Sequence, residues 1–253
     1  MTAYEYLRSI LTRETVDTGL YSPANVVEGY IRPVITQWAQ QYLVGFEPSG
    51  SLAKGTANRS GTDVDFFISL HPDTPGTLKQ IYDKLFALMH GTEYGAREQN
   101  VSIGTKVVGY DVDLVPGRLR SLQRTDHSLY RRNAGTWTQT DIRVHVSQVS
   151  RSPYRDEIRL TKLWRNQNGI DFPSFYLELT VMNALQGKPA GNLPDNFLSV
   201  LEYLRNRLPN ARVVDPANTN NIISDDLTAA GKQTIALLAE ASREKRTWGE
   251  IVQ

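Results

Sequence analysis

Gly50-Ser51-Leu52-Ala53-Lys54-Gly55-Thr56-Ala57-Asn58-Arg59-Ser60-Gly61-Thr62-Asp63-Val64-Asp65-Phe66-Phe67-Ile68 is the stretch on which the reading of this chain turns. It opens with Gly-Ser after an apolar run, crosses eleven mostly small and polar residues, and ends in Asp-x-Asp at the head of an apolar strand. Alternate side chains of a strand share a face, so Asp63 and Asp65 are predicted to point the same way. Carboxylates so placed lie about 6–7 Å apart along the strand and repel unless a cation sits between them. A hard divalent ion such as Mg²⁺ takes such oxygens and bridges to substrate phosphates. The backbone N–H groups and hydroxyl of Gly50-Ser51 are the parts of a phosphate cradle. Asp-x-Asp alone would fit a solvated surface hairpin; joined to Gly-Ser at this spacing it is far more specific.

A second carboxylate pair follows in a predicted β-hairpin. Residues 101–108 form one strand, Gly109 the turn, and Tyr110-Asp111-Val112-Asp113-Leu114-Val115-Pro116 the next. Asp111 and Asp113 also share a face. The Gly-Ser…Asp-x-Asp stretch resembles the signature of the nucleotidyltransferase superfamily that includes polymerase beta. That resemblance implies a third carboxylate on a neighbouring strand. It also implies two metal ions, Mg²⁺ or Mn²⁺, clamping the attacking and leaving oxygens of an in-line displacement. Both Asp111 and Asp113 are candidates from the residues alone. The Asp-Leu-Val-Pro run resembles the third motif of the cGAS-like nucleotidyltransferases, in which the Asp before the apolar pair and proline is the ligand, and so points to Asp113.

Composition bounds the rest. The 253 residues suffice for one large domain or two smaller lobes. Lys plus Arg is 28 against 27 for Asp plus Glu, which argues against a chain that coats nucleic acid by charge alone. With no cysteine there is neither a disulfide nor a Cys-based zinc site. No early apolar run resembles a signal peptide and none is long enough to span a bilayer, so a cytoplasmic protein without membrane contact is expected.

Outward from the central stretch, residues 1–43 read as two packing helices, the second carrying Pro33 inside its periodic run. A short strand over residues 44–49 leads into Gly-Ser. A turn at 71–76 precedes an amphipathic helix marked by Leu78, Ile81, Leu85, Leu88 and Met89. Residues 119–141 contain Arg120, Arg124, Arg131 and Arg132, with Arg118 and Arg143 just outside. This reads as a solvated basic face or as a rim for a second nucleotide or RNA strand. A hairpin turn is expected at 133–136 between two short strands. Beyond 141 the pattern is helical apart from a short strand near 212–214. The fold class is therefore α+β: a small mixed sheet with helices over residues 1–140, then a helical lobe over 141–253.

The helical part carries further resemblances. Arg159-Leu160-Thr161-Lys162-Leu163-Trp164 resembles the Arg-Leu-x-Lys-x-Trp helix of the oligoadenylate synthetases and their bacterial cGAS-like (DncV-like, CD-NTase) relatives. The run from Pro173 to Leu179 resembles their Pro-x-x-x-Leu-Glu-Leu helix start, and Asp215-Pro216…Asn221-Ile222 their Asp-Pro…Asn-Val segment. Together the motifs run from residue 50 to about 222. The resemblance implies a bilobal enzyme with the donor nucleotide between its lobes, and Lys162 on the donor triphosphate. The cysteine-containing zinc insertion of the animal DNA sensors and the basic RNA-binding face of the oligoadenylate synthetases are absent.

On this reading Asp63, Asp65 and Asp113 hold two ions, and Gly50 and Ser51 hold the β- and γ-phosphates. Lys162 neutralises triphosphate charge. Phe175 and Tyr176 are weighed as base-stacking groups against core packing at a helix start, with core packing favoured. The implied substrates are NTPs, ATP first and GTP second, and the implied product is a short cyclic or linear oligonucleotide second messenger. Such products act through a downstream effector protein in antiviral (anti-phage) defence. The competing reading is an RNA-tailing enzyme of the CCA-adding type, for which little chain is left to form a tRNA-gripping domain.

Overall fold

The computed structural model describes residues 1–61 and 63–253; Thr62 of the spacer lies outside the described residues. In chain order the elements are α1 (Ala3–Arg13), α2 (Pro23–Ala39), β1 (Leu43–Pro48), α3 (Gly50–Lys54), β2 (Val64–Leu70), α4 (Leu78–His90), β3 (Arg97–Glu98), β4 (Ile103–Val107), β5 (Tyr110–Leu119), β6 (His127–Arg131) and β7 (Thr136–Thr140). Then come α5 (Ile142–Ser150), α6 (Arg155–Gln167), α7 (Ser174–Ala184), α8 (Leu193–Asn206), α9 (Ala229–Arg243) and α10 (Trp248–Ile251). Among the described residues no helix is long and apolar enough to cross a membrane.

The chain divides into two units, residues 16–55 with 61–147, and residues 1–15 with 56–60 and 148–253. The first holds the sheet, in the order β1-β2-β5-β4-β3, with β6 pairing with β5 and β7 with β6. β2 and β5 run parallel and the other pairs antiparallel. A parallel pair needs a crossover connection, and α4 lies in the segment that makes it. α4 begins with a capping box: Thr77 accepts from the backbone of Gln80, whose side chain accepts from the Thr77 N–H.

Period-two alternation sorts β2. Val64, Phe66, Ile68 and Leu70 are buried in one cluster with Val27, Ile31 and Ile35 of α2 and Ile81, Leu85 and Met89 of α4. Phe46 of β1 stacks on Phe66 with ring centres 4.6 Å apart. The opposite face is left to Asp65, Phe67 and Ser69. α2 runs unbroken through Pro33. That residue is exposed, so the carbonyl it leaves without an intrahelical partner can turn to water.

The second unit is helical. Leu7, Ile10 and Leu11 of α1 share a core with Trp164 of α6, Tyr176 of α7 and Phe197 of α8. The sequence division at 140/141 places α1 with the sheet; the structure groups it with the C-terminal helices, because its apolar stripe is buried there. The strand expected near 212–214 does not form. These residues find no ladder partner, and only an isolated bridge joins Asp215 to Asn218.

Candidate active site

The parallel β2–β5 ladder sets Asp65 directly opposite Asp113. Register partners on neighbouring strands share a face at an interstrand spacing of about 4.8 Å. Asp63 precedes the first residue of β2 by one and is exposed, so it lies at the strand mouth and not within the strand as expected. Desolvation by the surrounding protein, partial for the exposed Asp63 and fuller for Asp113, pushes both carboxyl pKa values above the ordinary value. The negative charge of Asp111 adds to the rise at Asp63, as that of Asp63 does at Asp113, and the Arg97 guanidinium opposes it at both.

Gly50 lies against the same group. Its φ is +56° and the Ser49 N–H donates to the Asp65 carbonyl at 2.7 Å. A Cβ at position 50 would lie 1.7 Å from Asp65 Oδ2, so any other residue would displace the carboxylate. Gly50 and Ser51 form the first turn of the short helix α3 where a simple turn was expected.

Asp111 and Asp113 differ in surroundings. Asp111 is 44% exposed at its side chain and accepts from Arg97 Nη1 at 3.3 Å. Asp113 is more enclosed and accepts from Gln99 Nε2 at 2.9 Å. Among the described residues no three acidic, histidine or cysteine side chains converge closely enough to hold a metal ion by themselves. The donor set nonetheless suits a hard cation that completes its shell with water and substrate phosphate, which is the usual habit of Mg²⁺. It consists of carboxylate oxygens only, and a nearby cation would offset the like charges that raise the pKa of two of the groups.

Lys162 departs from expectation. The resemblance puts it on the donor triphosphate; in the structure its side chain is buried. Its Nζ lies 2.6 Å from Glu178 Oε1 and donates to Thr56 Oγ1 at 2.9 Å and to the Thr56 carbonyl at 3.4 Å. Thr56 Oγ1 donates to the same Glu178 oxygen at 2.9 Å. Residues 56–60 of the spacer are held further within the helical unit. Arg159 donates to the Ala57 carbonyl and to Asn58 Oδ1, both at 3.2 Å, and the Ser60 N–H donates to Glu14 Oε2 at 2.8 Å. Tyr176 is fully buried, edge-on to Phe172 with ring centres 5.0 Å apart, which removes it as a base-stacking group. Phe175 is half-buried against the same core.

Several side chains of the arginine-rich segment are held by internal partners. Arg118 donates to the carbonyls of Thr74 and Gly76, Arg120 and Arg124 pair with Asp126, and Arg132 pairs with Glu98. The sequence reading missed Arg97 and Gln99, and gave no role to Glu178. For the first two a signal existed in Gly104, since a glycine inside a strand marks a close approach. Glu178 is the acidic residue of the Pro-x-x-x-Leu-Glu-Leu run.

No family model matches the chain. The cyclic AMP-AMP-AMP synthase of Escherichia coli (strain MS 115-1) is 27% identical over 225 residues, covering 79% of this chain and 69% of that protein. The solved structure of E. coli MS115-1 CdnC with ATP matches with a TM-score of 0.69 at 22% identity, over 98% of this chain and 91% of that one. The Bradyrhizobium diazoefficiens CD-NTase CdnG, solved with GTP, matches with a TM-score of 0.72 at 16% identity, over 95% and 91%. These likenesses give the chain the nucleotidyltransferase fold of the solved CD-NTase structures. In sequence it is similar to a bacterial enzyme of the cGAS/DncV-like group, the CD-NTases.

Proposed function

We propose that the chain joins nucleoside triphosphates into a short cyclic oligonucleotide. In each step a ribose hydroxyl of one nucleotide attacks the α-phosphorus of another. The new P–O bond forms as the bond to the β-phosphate oxygen breaks, pyrophosphate leaves, and the hydroxyl proton passes to a base. The observation that carries this reading is the register pairing of Asp65 with Asp113 beside Asp63 and Gly50. The likeness to a cyclic-trinucleotide synthase supports the product class and favours ATP as substrate.

Asp63, Asp65 and Asp113 are the residues that would hold divalent cations, Mg²⁺ or Mn²⁺. When bound, such ions supply charge stabilisation to the attacking and leaving oxygens. Asp113, on the neighbouring strand, is also placed to accept the hydroxyl proton. Gly50 and Ser51 present backbone N–H groups and a hydroxyl to the β- and γ-phosphates. Lys162 is committed to Glu178 and Thr56, so no triphosphate contact is assigned to it.

The test is incubation with all four NTPs and Mg²⁺ or Mn²⁺, with and without total tRNA. Phosphatase treatment and mass analysis follow. A small phosphatase-resistant product made without tRNA is expected. Label moving only into tRNA-sized material would establish RNA tailing instead.

A further inference from the structure

The geometry points to Gln99 as the positioning residue of Asp113, a neutral donor that aims the carboxylate without cancelling its charge. This rests on the reading of Asp113 as a ligand of the catalytic cations.

Gln99 lies in the turn between β3 and β4 and is held at both ends. Its backbone N–H donates to Tyr82 Oη at 3.0 Å and to the Ser102 carbonyl at 3.1 Å, and Tyr82 Oη donates back to its carbonyl at 2.6 Å. Tyr82 is itself buried in the core under the sheet. Ser102 Oγ donates to Gln99 Oε1 at 2.5 Å, which leaves Nε2 to donate to Asp113 Oδ1 at 2.9 Å. An ionised carboxylate only accepts, so the reversed amide would set oxygen against oxygen. The amide therefore has one orientation.

The sheet leaves room for this contact. Gly104 of β4 is the register partner of Asp113. A Cβ on residue 104 would lie 2.8 Å from Gln99 Nε2 and 2.6 Å from Arg97 Nε. Its absence lets both side chains cross β4 toward the carboxylates of β5. Their roles divide there. The Arg97 cation is drawn to Asp111 at 3.3 Å, and the uncharged amide takes Asp113. A guanidinium on Asp113 would compete with a bound cation. An amide that occupies one oxygen leaves the full negative charge and a defined direction to the other. Hydrogen-bond partners behind ligating groups commonly set metal affinity and activity by about 10–100-fold.

The experiment uses the full chain with Mn²⁺ and a non-hydrolysable ATP analogue. Mn²⁺ affinity is read by electron paramagnetic resonance, alongside kcat and KM for ATP. Gln99→Leu removes the donor at similar size. Mn²⁺ binding is expected to weaken about 10–100-fold and kcat to fall with it, while KM for ATP stays within a few-fold and the circular dichroism spectrum is unchanged. If Gln99→Leu does not fold, Gln99→Asn decides, since it keeps the amide but withdraws it by one methylene; the same loss is expected. Wild-type Mn²⁺ affinity and kcat in a folded variant would overturn the assignment. Failure of the wild-type chain to bind Mn²⁺ or to consume NTPs would instead remove the proposed function on which it stands.

Discussion

Lys162 Nζ and Glu178 Oε1 lie 2.6 Å apart, on α6 and α7, with side-chain exposures of only 6% and 1%. Breaking such a buried pair by removing one partner leaves the other charge uncompensated, at a cost of about 3–5 kcal/mol. Lys162→Ala is therefore expected to destabilise the protein by about that much, whatever it does to activity. Replacing both with apolar residues of similar volume, as in Lys162→Met with Glu178→Leu, should recover most of the loss. Urea denaturation of the three proteins decides it; a change under about 0.5 kcal/mol in Lys162→Ala is what a surface lysine would give.

Asp113→Asn is expected to lower turnover about 100-fold or more, the equivalent of a few kcal/mol of lost transition-state charge stabilisation. Asp111→Asn releases only a partly exposed ion pair with Arg97 and should stay within a few-fold. With EDTA present, Asp113→Asn should also raise Tm, because a desolvated charge beside Asp63 is removed. Parallel assays that find Asp111→Asn to be the dead variant would place the site on the wrong aspartate.

His127 supplies a pH dependence. It is buried, with Nε2 2.7 Å from Ser69 Oγ and its ring edge-on to Phe67. Burial holds its pKa below the ordinary value near 6.5, against the opposing pull of the Thr125 backbone and the Asp141 and Asp126 charges. A histidine that is neutral when folded takes up its proton more readily when unfolded. Its contribution is thus intact above pH 6.5 and is lost as pH falls from there through the depressed folded value, with a slope of at most ~1.4 kcal/mol per pH unit. Thermal melts between pH 7.5 and 5.5 should flatten in His127→Gln relative to wild type; identical slopes would show that other groups set the response.

Tyr176 is a buried phenol whose hydroxyl has no hydrogen-bond partner among the described residues, and burial pushes its pKa up to about 12. An unsatisfied buried hydroxyl costs about 1–3 kcal/mol relative to a satisfied one. Tyr176→Phe is expected to leave stability unchanged or to raise it by about 1 kcal/mol. Loss of stability would mean that the hydroxyl is bonded in solution, and loss of activity alone would restore it as a functional group.

The two Asp-x-Asp runs were readable as strands because carboxylates alternated with Val, Phe and Leu. Their mutual register was not, since it depends on how the α4 crossover closes. That register is what separates Asp113 from Asp111 in the structure. Lys162 was legible as the lysine of a motif placed on the donor triphosphate; its ion pair was not, because the partner sits sixteen residues later on α7, beyond any local periodicity. Gln99 follows a two-residue strand too short to leave a periodic signature. Arg212-Val213-Val214 looked like a strand from β-branched content alone, but a strand needs a neighbour and these residues have none.

The membership of α1 in the helical unit also has a consequence in time. Translation delivers the chain at roughly 5–20 residues per second. Leu7, Ile10 and Leu11 leave the ribosome long before the segment from Gln148 onward with which they are buried. For about 135 residues of further synthesis, some 7–27 seconds at that rate, these apolar side chains lack the core that buries them, and so short a helix is marginal by itself. During that interval residues 16–147 can assemble nearly the whole sheet, yet the 56–60 linker inside them still waits for Lys162 and Arg159. The apolar side chains of α1 are thus open to chaperones, proteases and aggregation until the helices beyond residue 148 have been made.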